Sequence, residues 1–189
     1  MFRTRDGQVI KAGRSWTDAH GITHPSNWHI WSAEYKEALG ITEIVQESHP
    51  DSRFYIWSQN ADYSYNQTDK SLDDVLRVNS DGNAVTDDDG NQIVDNGLKA
   101  VWVKNSKTTA NNLLSSTDWQ EIAKAARGRA VDADVATYRS AVLAACDAIE
   151  EKIAACADLA EFKALFDTPT DSDGNATGNS PIRDWPKLG

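Results

Sequence analysis

A stripe of apolar residues between Asp134 and Cys156 constrains the fold more than any other feature of the sequence. The residues recur at three- and four-residue spacing over about 23 positions, which places them on one side of an α-helix. The stripe consists of Val135, Tyr138, Val142, Ala145, Ile149, Ile153 and Cys156. The sequence therefore predicts one long amphipathic helix over Asp134–Cys156 that must bury this stripe.

Helical patterns also lie on both sides of the long helix. Three- and four-residue spacing predicts a helix after Gly97, with Leu98, Trp102, Ala110 and Leu113 as its apolar positions. The segment Thr117–Gln120 has the form of a capping box, so a further helix is predicted to begin near Asp118 and to end at Gly128. A short helix is predicted around Leu159–Phe166.

The first sixty residues contain four tryptophans and have a mixed pattern. A polar cap, charged residues and the terminator Gly40 predict a short helix over Ser32–Leu39. The β-branched and aromatic runs 41–46 and 53–58 are separated by a turn at 49–51, which predicts a pair of strands. A third strand is predicted from Tyr63 to Gln67.

The segment from Leu72 to Asn96 consists of short apolar pieces between Asp-Gly-Asn turns at 81–83 and 89–91. Because Asp-Gly supplies the positive φ of tight turns, the segment predicts a small β-meander or extended loops. The apolar positions are Val78, Val85, Ile93 and Val94. The region after residue 168, which includes the turn-rich stretch Asp171–Asn175, is predicted to be a loop or tail.

These patterns predict an α+β protein: a small amino-terminal mixed module with antiparallel strands, followed by a helical carboxy-terminal region with one long amphipathic helix. The predicted divisions are a tryptophan-rich module (1–70), an acidic turn-rich meander or linker (71–97), a helical region (98–168) and a turn-rich tail (169–189).

The charge of the chain limits its partners. A formal net charge of −10 and a pI of about 4.7 repel phosphate backbones and anionic membranes, which argues against nucleic acid as a partner. The charge is uneven, at about −7 over residues 61–98 and about +3 over residues 99–133, so the middle segment could receive a basic patch of another protein. The longest apolar stretch, Ala141–Cys146, is far shorter than a membrane span, and no apolar run follows Arg3 and Arg5, so neither membrane insertion nor a secretory signal is predicted.

The two cysteines, Cys146 and Cys156, lie ten residues apart in one predicted helix. At 1.5 Å per residue they are separated by about 15 Å, too far for a disulfide. We interpret both as small buried residues of a protein made in a reducing cytosol.

Catalytic and metal-binding patterns are weak in this sequence. There is no Gly-flanked serine elbow, no cysteine–histidine pair in a polar setting and no glycine-rich phosphate loop. Gly21 and Pro25 break any helix that would align His20 and His24, and His29 adds no metal spacing, so we interpret all three as turn or surface histidines. The Asp87–Asn91 and Asp171–Asn175 runs have partial calcium-loop spacing without a glutamate at the twelfth position. The prediction is a protein that is not an enzyme and has no cofactor and no metal.

Several short motifs resemble proteins of bacteriophage tails. The segment Gly21–Trp28, continuing to Ala38–Glu43, resembles the amino-terminal module of tail-fibre and tail-fibre-assembly proteins of tailed phages. The order Leu113-Leu114, Thr117-Asp118-Trp119, Thr137-Tyr138-Arg139 and Trp185-Pro186 is similar to the carboxy-terminal region of phage tail assembly chaperones. The chain departs from this second pattern by a longer stretch between Tyr138 and Trp185.

The resemblance implies non-enzymatic work on a phage tail. The protein would bind tail or tail-fibre components as an assembly factor in the host cytoplasm. The alternative is a permanent structural subunit of the virion tail or tail fibre, acting as an adaptor or self-associating through its long helix. Other phage tail proteins are the expected partners, with a homo-oligomer as a further possibility and with neither nucleic acid nor membrane.

Aromatic residues are the candidates for partner binding. The seven tryptophans could all lie in the core, or some could anchor a partner, because tryptophan, tyrosine and arginine dominate binding hot spots. Trp28 and Trp31 flank His29-Ile30 just before the cap at Ser32, so at least one of the two rings is expected at the surface. The predicted partner-binding residues are Trp28, Trp31, Trp119, Tyr138 and Arg139.

Overall fold

The computed structural model describes residues 1–44, 48–61 and 63–188, and the chain forms two compact units, Met1–Thr68 and Asp69–Gly189. The amino-terminal half contains mainly short antiparallel strands, and helices follow, which confirms the predicted α+β class. The first unit ends close to residue 70, where the tryptophan-rich module was predicted to end. The predicted segments 71–97, 98–168 and 169–189 all lie in the second unit.

The first unit is built from three small strand groups. β1 (Phe2–Arg3) pairs antiparallel with β2 (Val9–Ile10) and with β5 (Thr42–Glu43), β3 (Trp16–Thr17) pairs antiparallel with β4 (Thr23–His24), and β6 (Tyr55–Gln59) pairs with β7 (Tyr65–Asp69). The register places Phe2 opposite both Ile10 and Glu43. The predicted third strand, Tyr63–Gln67, corresponds to β7.

The predicted pairing between the runs 41–46 and 53–58 is wrong. β5 pairs with the amino-terminal strand β1, and β6 pairs with β7, so the two runs belong to different sheets. β1 supplies β5 with its antiparallel neighbour, while β6 finds one a few residues later, where closing a short loop costs little entropy. Val45 and Gln46, at the end of the first run, lie outside the described residues.

Helix α1 (Ala33–Ala38) has the predicted ends. The Ser32 hydroxyl accepts a hydrogen bond from the Tyr35 backbone N–H at 3.2 Å, which caps the amino terminus. Gly40 ends the helix with φ = +67°, and a Cβ there would lie 2.7 Å from the Arg5 Cβ. Both the backbone conformation and the space therefore require glycine.

The core of the first unit is rich in tryptophan. Its buried residues are Ile10, Trp16, Trp28 and Ile41, with Phe2, Trp31 and Leu39 packed against them. A 3₁₀ helix over Ser26–Ile30 carries Trp28 inward, where the indole Nε1 donates to the Arg14 carbonyl at 2.8 Å. The Phe2 ring meets Trp28 edge-on at 5.0 Å between centroids. Hydrogen bonding of the indole makes this burial favourable.

One five-residue turn recurs in both units. In each copy the first residue's backbone N–H donates to the fifth residue's carbonyl, and its side-chain oxygen accepts the fifth residue's N–H. The fourth residue is a glycine with positive φ, whose N–H donates to the carbonyl of the first. The copies are Thr4–Gln8, Asp18–Ile22, Asn79–Asn83, Asp87–Asn91 and Asp171–Asn175. The sequence predicted turns in the last three copies, and the other two follow the same rule of a polar first residue and a fourth-position glycine.

Residues 75–95 form a three-way arrangement that we call the β-junction. β8 (Val75–Leu76) pairs antiparallel with β9 (Val94–Asp95), and two further ladders are closed by the bridges Val78↔Ala84 and Thr86↔Gln92. Arg77, Val85 and Ile93 join the three ladders through a cycle of backbone hydrogen bonds, each 2.8 or 3.0 Å long. The predicted meander is therefore a closed three-way junction, in which backbone hydrogen bonds join each ladder to the other two.

The β-junction is fixed to helix α2 (Leu98–Ser115). Backbone N–H groups of Leu98 and Lys99 donate to carbonyls of residues 71 and 72, and the Gly97 N–H donates to the Asp74 carboxylate at 2.7 Å. A Cβ at Gly97 would lie 2.4 Å from backbone atoms of residues 72 and 73, so only glycine fits. The free N–H groups at the start of α2 are thereby satisfied.

The remaining helices of the second unit are α3 (Asp118–Arg127), α4 (Ala133–Ala155) and α5 (Leu159–Ala164). The predicted long helix is confirmed as α4, whose buried residues are Tyr138, Val142, Cys146, Ile149 and Ile153. Its first half packs against α2 in a cluster with Ala110 and Leu114, and Phe162 of α5 is also fully buried. Val135 and Ala145 of the predicted stripe are only half-buried.

The segment after residue 168 forms turns and loops, as predicted, and it also packs against the helices. A 3₁₀ helix over Pro181–Arg183 buries Ile182, whose N–H donates to the Leu165 carbonyl at 3.1 Å. Trp185 packs against the cluster formed by α2 and α4. Two apolar side chains in a polar stretch are enough to hold the segment against the helices.

Candidate partner-binding surface

Arg139 fixes the corner between α2, α3 and α4. Its Nη1 donates to the Leu114 carbonyl at 3.0 Å, to the Thr117 hydroxyl at 2.7 Å and to the Asp118 carboxylate at 2.9 Å. The Tyr138 hydroxyl donates to the Leu113 carbonyl at 3.4 Å. A guanidinium is suited to this task because its donors are held in a rigid planar fork.

The predicted capping box at Thr117–Gln120 is not formed, although the helix begins where it was expected. Thr117 is buried, and its hydroxyl donates to the Leu114 carbonyl at 2.8 Å and accepts from Arg139 instead of capping α3. The arginine lies 22 residues further along the chain, and the Thr117 hydroxyl accepts its charge-assisted hydrogen bond instead of one from an N–H group of α3.

Gln120 closes the loop between α3 and α4. Its Nε2 donates to the Asp132 carboxylate at 2.9 Å, and its Oε1 accepts the Asp132 backbone N–H at 2.8 Å. Gln120 is the one buried residue of α3. Both sets of polar contacts, at Asp118 and at Gln120, lie in the first turn of α3, so polar contacts rather than an apolar face hold this end of the helix.

The apolar side of α3 points into solvent. Trp119 is 53% exposed and Ile122 is 66% exposed, and Ala126 continues the same side at helical spacing. We call these three residues the α3 face. An amphipathic helix normally buries such a side, so its exposure makes the α3 face a candidate surface for contact with another protein.

A basic group lies beside the α3 face. The Arg129 guanidinium lies over the Trp119 ring, 5.4 Å from its centroid. Within residues 1–44, 48–61 and 63–188, neither Arg127 nor Arg129 has a carboxylate within ion-pair distance. These two positive charges favour contact with an acidic group.

The structure separates the predicted partner-binding residues. Trp28 is 0% exposed and Tyr138 is buried, so neither ring is available to a partner in the way that was predicted. At least one of the Trp28 and Trp31 rings was expected at the surface, and Trp31 is half-buried against His24 and Tyr35. Arg139 is an internal clamp, which leaves Trp119 as the one exposed residue among the five.

Ile122 was not among the predicted residues, although it follows Trp119 by three positions in a predicted helix and therefore shares its side. Arg129 was not predicted either, because it lies beyond the helix and reaches the indole ring only in the folded chain. In the first unit, Ile30 and Tyr35 are exposed beside Trp31 and were not predicted.

The histidines serve the packing of the first unit. His24 is stacked on Trp16 with 4.3 Å between centroids, and its Nε2 lies 3.1 Å from the Asp18 carboxylate. The interpretation of His24 as a surface residue is therefore corrected. The Ile22 and His20 backbone N–H groups and His24 hold the pKa of Asp18 below its usual value. In the described part of the chain, no group of three or more histidine, cysteine, aspartate or glutamate side chains is arranged to hold a metal ion.

A cavity of about 290 Å³ lies beside this pair in the first unit. Thr4, Asp6, Trp16 and Asp18 contribute to its lining. Its polar groups bond mainly to one another, as the Thr4 hydroxyl donates to Asp6 and Asp18 pairs with His24. Among the described residues, the Trp16 Nε1 is buried without an acceptor.

Both cysteines are buried and free, as the sequence predicted. Burial and then the nearby Glu150 carboxylate raise the pKa of Cys146 to about 11, and burial likewise raises the pKa of Cys156. We expect neither thiol to react with iodoacetamide in the folded protein at about pH 8, because the thiolate is the nucleophile. Mass spectrometry should find both alkylated after unfolding in guanidinium chloride. Rapid native labelling of either cysteine would contradict this expectation.

No protein-family model matches the chain, and neither the curated proteins nor the solved structures gave a match to it. Over residues 1–44, 48–61 and 63–188, no helix has both the length and the apolar character that a bilayer span requires.

Proposed function

We propose that this chain is a non-enzymatic phage tail-associated protein that binds tail or tail-fibre components as an assembly factor. The α3 face is its docking surface. The partner segment is acidic with an apolar anchor, because the face carries Trp119 and Ile122 with the Arg129 guanidinium over the Trp119 ring. The observation that carries the proposal is the exposed apolar side of a helix whose position is fixed by Arg139 and Gln120.

The motifs that resemble tail assembly chaperones support the same surface. Tyr138-Arg139 lies 25 residues beyond Leu113-Leu114, and both meet Thr117-Asp118-Trp119 at one corner of the second unit. Trp185 packs against the same cluster. Together these residues hold α3 in place. The motif therefore accounts for a binding surface and requires no catalytic centre.

Replacing Trp119 by alanine tests the proposal. Losing an exposed aromatic anchor typically costs about 2–4 kcal/mol of binding free energy, which is between about 30-fold and 1,000-fold in affinity. We expect co-purification of the neighbouring tail gene products, identified by mass spectrometry, to fall accordingly, while the melting temperature stays close to that of the wild type.

Leu143→Ala is the matched control, because Leu143 lies on α4 in the same unit and is 54% exposed. It should retain the partner. Equal retention by the Trp119→Ala variant would remove α3 from the proposal.

Mass spectrometry of purified virions distinguishes an assembly factor from a permanent tail subunit. A permanent subunit is present at fixed copy number, and an assembly factor is absent.

A further inference from the structure

The β-junction carries a second exposed apolar surface. Leu76 lies directly opposite Val94 in the β8–β9 ladder, and Val78 follows Leu76 by two residues, so the three side chains share one face. Each of them is about half exposed. We call these three residues the junction face.

The segment that carries the junction face is strongly acidic. Residues 71–97 contain seven aspartates and one arginine, and that arginine, Arg77, is already paired with Asp95. Asp81, Asp88 and Asp89 stand at the turns, and within the described residues none of the three has a basic group at ion-pair distance. The junction face is therefore an apolar surface on a negatively charged segment.

The α3 face complements this surface, because its apolar side chains lie in a segment with two cations, Arg127 and Arg129, and Arg129 lies over the Trp119 ring. Both belong to the second unit, where α3 is fixed by Arg139 and the β-junction by hydrogen bonds to the start of α2. Because both faces are exposed in a single chain, they can meet when two chains associate. We propose that the junction face of a second copy of this chain covers the α3 face when no other partner does.

Self-association of this kind would cover the α3 face and so regulate the binding of tail proteins. In that respect this inference rests on the proposed function. Two small faces bury less than the roughly 1,200 Å² that is usual for stable complexes, so the contact is weak and readily exchanged. Opposite charges around it make the association sensitive to salt. Each copy offers one face of each kind, so the contact either closes a reciprocal pair or repeats from head to tail.

Light scattering after gel filtration of the purified protein tests the contact. At low salt we expect the mass to rise with protein concentration above the 20.8 kDa of one chain. In about 1 M salt the screening length falls to about 3 Å, and the mass should return toward that of one chain. A mass of one chain throughout the low-salt series would overturn the proposal.

Charge reversal identifies the two faces. Arg127→Glu with Arg129→Glu makes the border of α3 acidic, and Asp88→Lys with Asp89→Lys makes the edge of the β-junction basic. Each double variant alone should remain at the mass of one chain where the wild type associates. An equal mixture should associate again, because both kinds of contact between the two variants then join opposite charges.

Association of either double variant at the wild-type level, with its melting unchanged, would place the contact elsewhere and overturn the proposal. So would failure of the mixture to associate. The Asp88→Lys, Asp89→Lys variant keeps the α3 face, so its capture of tail proteins reports on the proposed function independently. Loss of self-association with retained capture supports both proposals, and retained self-association with lost capture refutes both.

Discussion

Replacing Ile149 by aspartate is expected to unfold the second unit. Ile149 lies in the second half of α4 and is 2% exposed. An unpaired carboxylate at this position would lose its hydration without gaining a partner, and the lost apolar contacts add to the cost. Together these effects cost several kcal/mol, against a domain stability of about 5–15 kcal/mol. Thermal and urea unfolding followed by circular dichroism at 222 nm reports directly on these helices.

Leu143→Asp provides the control, because it introduces the same carboxylate into the same helix at a position that is 54% exposed. We expect its free energy of unfolding to change by no more than about 1 kcal/mol. Similar losses in the two variants would mean that helix propensity, rather than burial of the stripe, sets the cost. Unchanged melting of the Ile149→Asp variant would exclude the buried stripe altogether.

The helices were predictable because their signal is local and repeated. The α4 stripe recurs over six turns, and Thr117 and Gly128 mark the ends of α3 in the sequence itself. How Thr117 acts was not predictable. Arg139 competes for its hydroxyl from 22 residues away, and no rule for capping motifs includes a contact at that separation.

The strand pairings of the first unit were less predictable. β1 and β5 are two residues each and lie about forty residues apart, so neither carries an alternating pattern long enough to identify its neighbour. Two turns of the first unit carry a sequence pattern that predicts them. Thr4-Arg5-Asp6-Gly7 and Asp18-Ala19-His20-Gly21 share their spacing with the three turns that were recognised, and each closes an antiparallel pair.

The candidate site was predictable only in part, because composition does not distinguish core tryptophans from surface ones. Trp28 and Ile30 lie two positions apart in one 3₁₀ helix, and Trp28 is buried while Ile30 is exposed. Trp119 differs because it lies on a helix whose buried contacts are polar. Its exposure follows from the clamps at Arg139 and Gln120, which hold α3 without using its apolar side.

Replacing Trp28 by alanine is expected to unfold the first unit. The ring is 0% exposed, its Nε1–H is bonded to the Arg14 carbonyl, and Phe2 packs against its face. Removing a buried tryptophan costs about 3–5 kcal/mol through lost contacts and the remaining cavity. The loss also leaves the Arg14 carbonyl without its donor. Hydrogen exchange followed by mass spectrometry is the suitable measurement, since circular dichroism is dominated by the helices of the second unit.

Trp57→Ala is the matched control in the same unit, because Trp57 is 37% exposed on β6. We expect peptides from residues 1–44 to lose protection in the Trp28→Ala variant and to keep it in the Trp57→Ala variant. Peptides covering α4 should keep their protection in both, because Asp69–Gly189 has its own core. If Trp28→Ala instead left protection intact and abolished binding of tail proteins, Trp28 would be a surface anchor and the packing described for the first unit would be wrong.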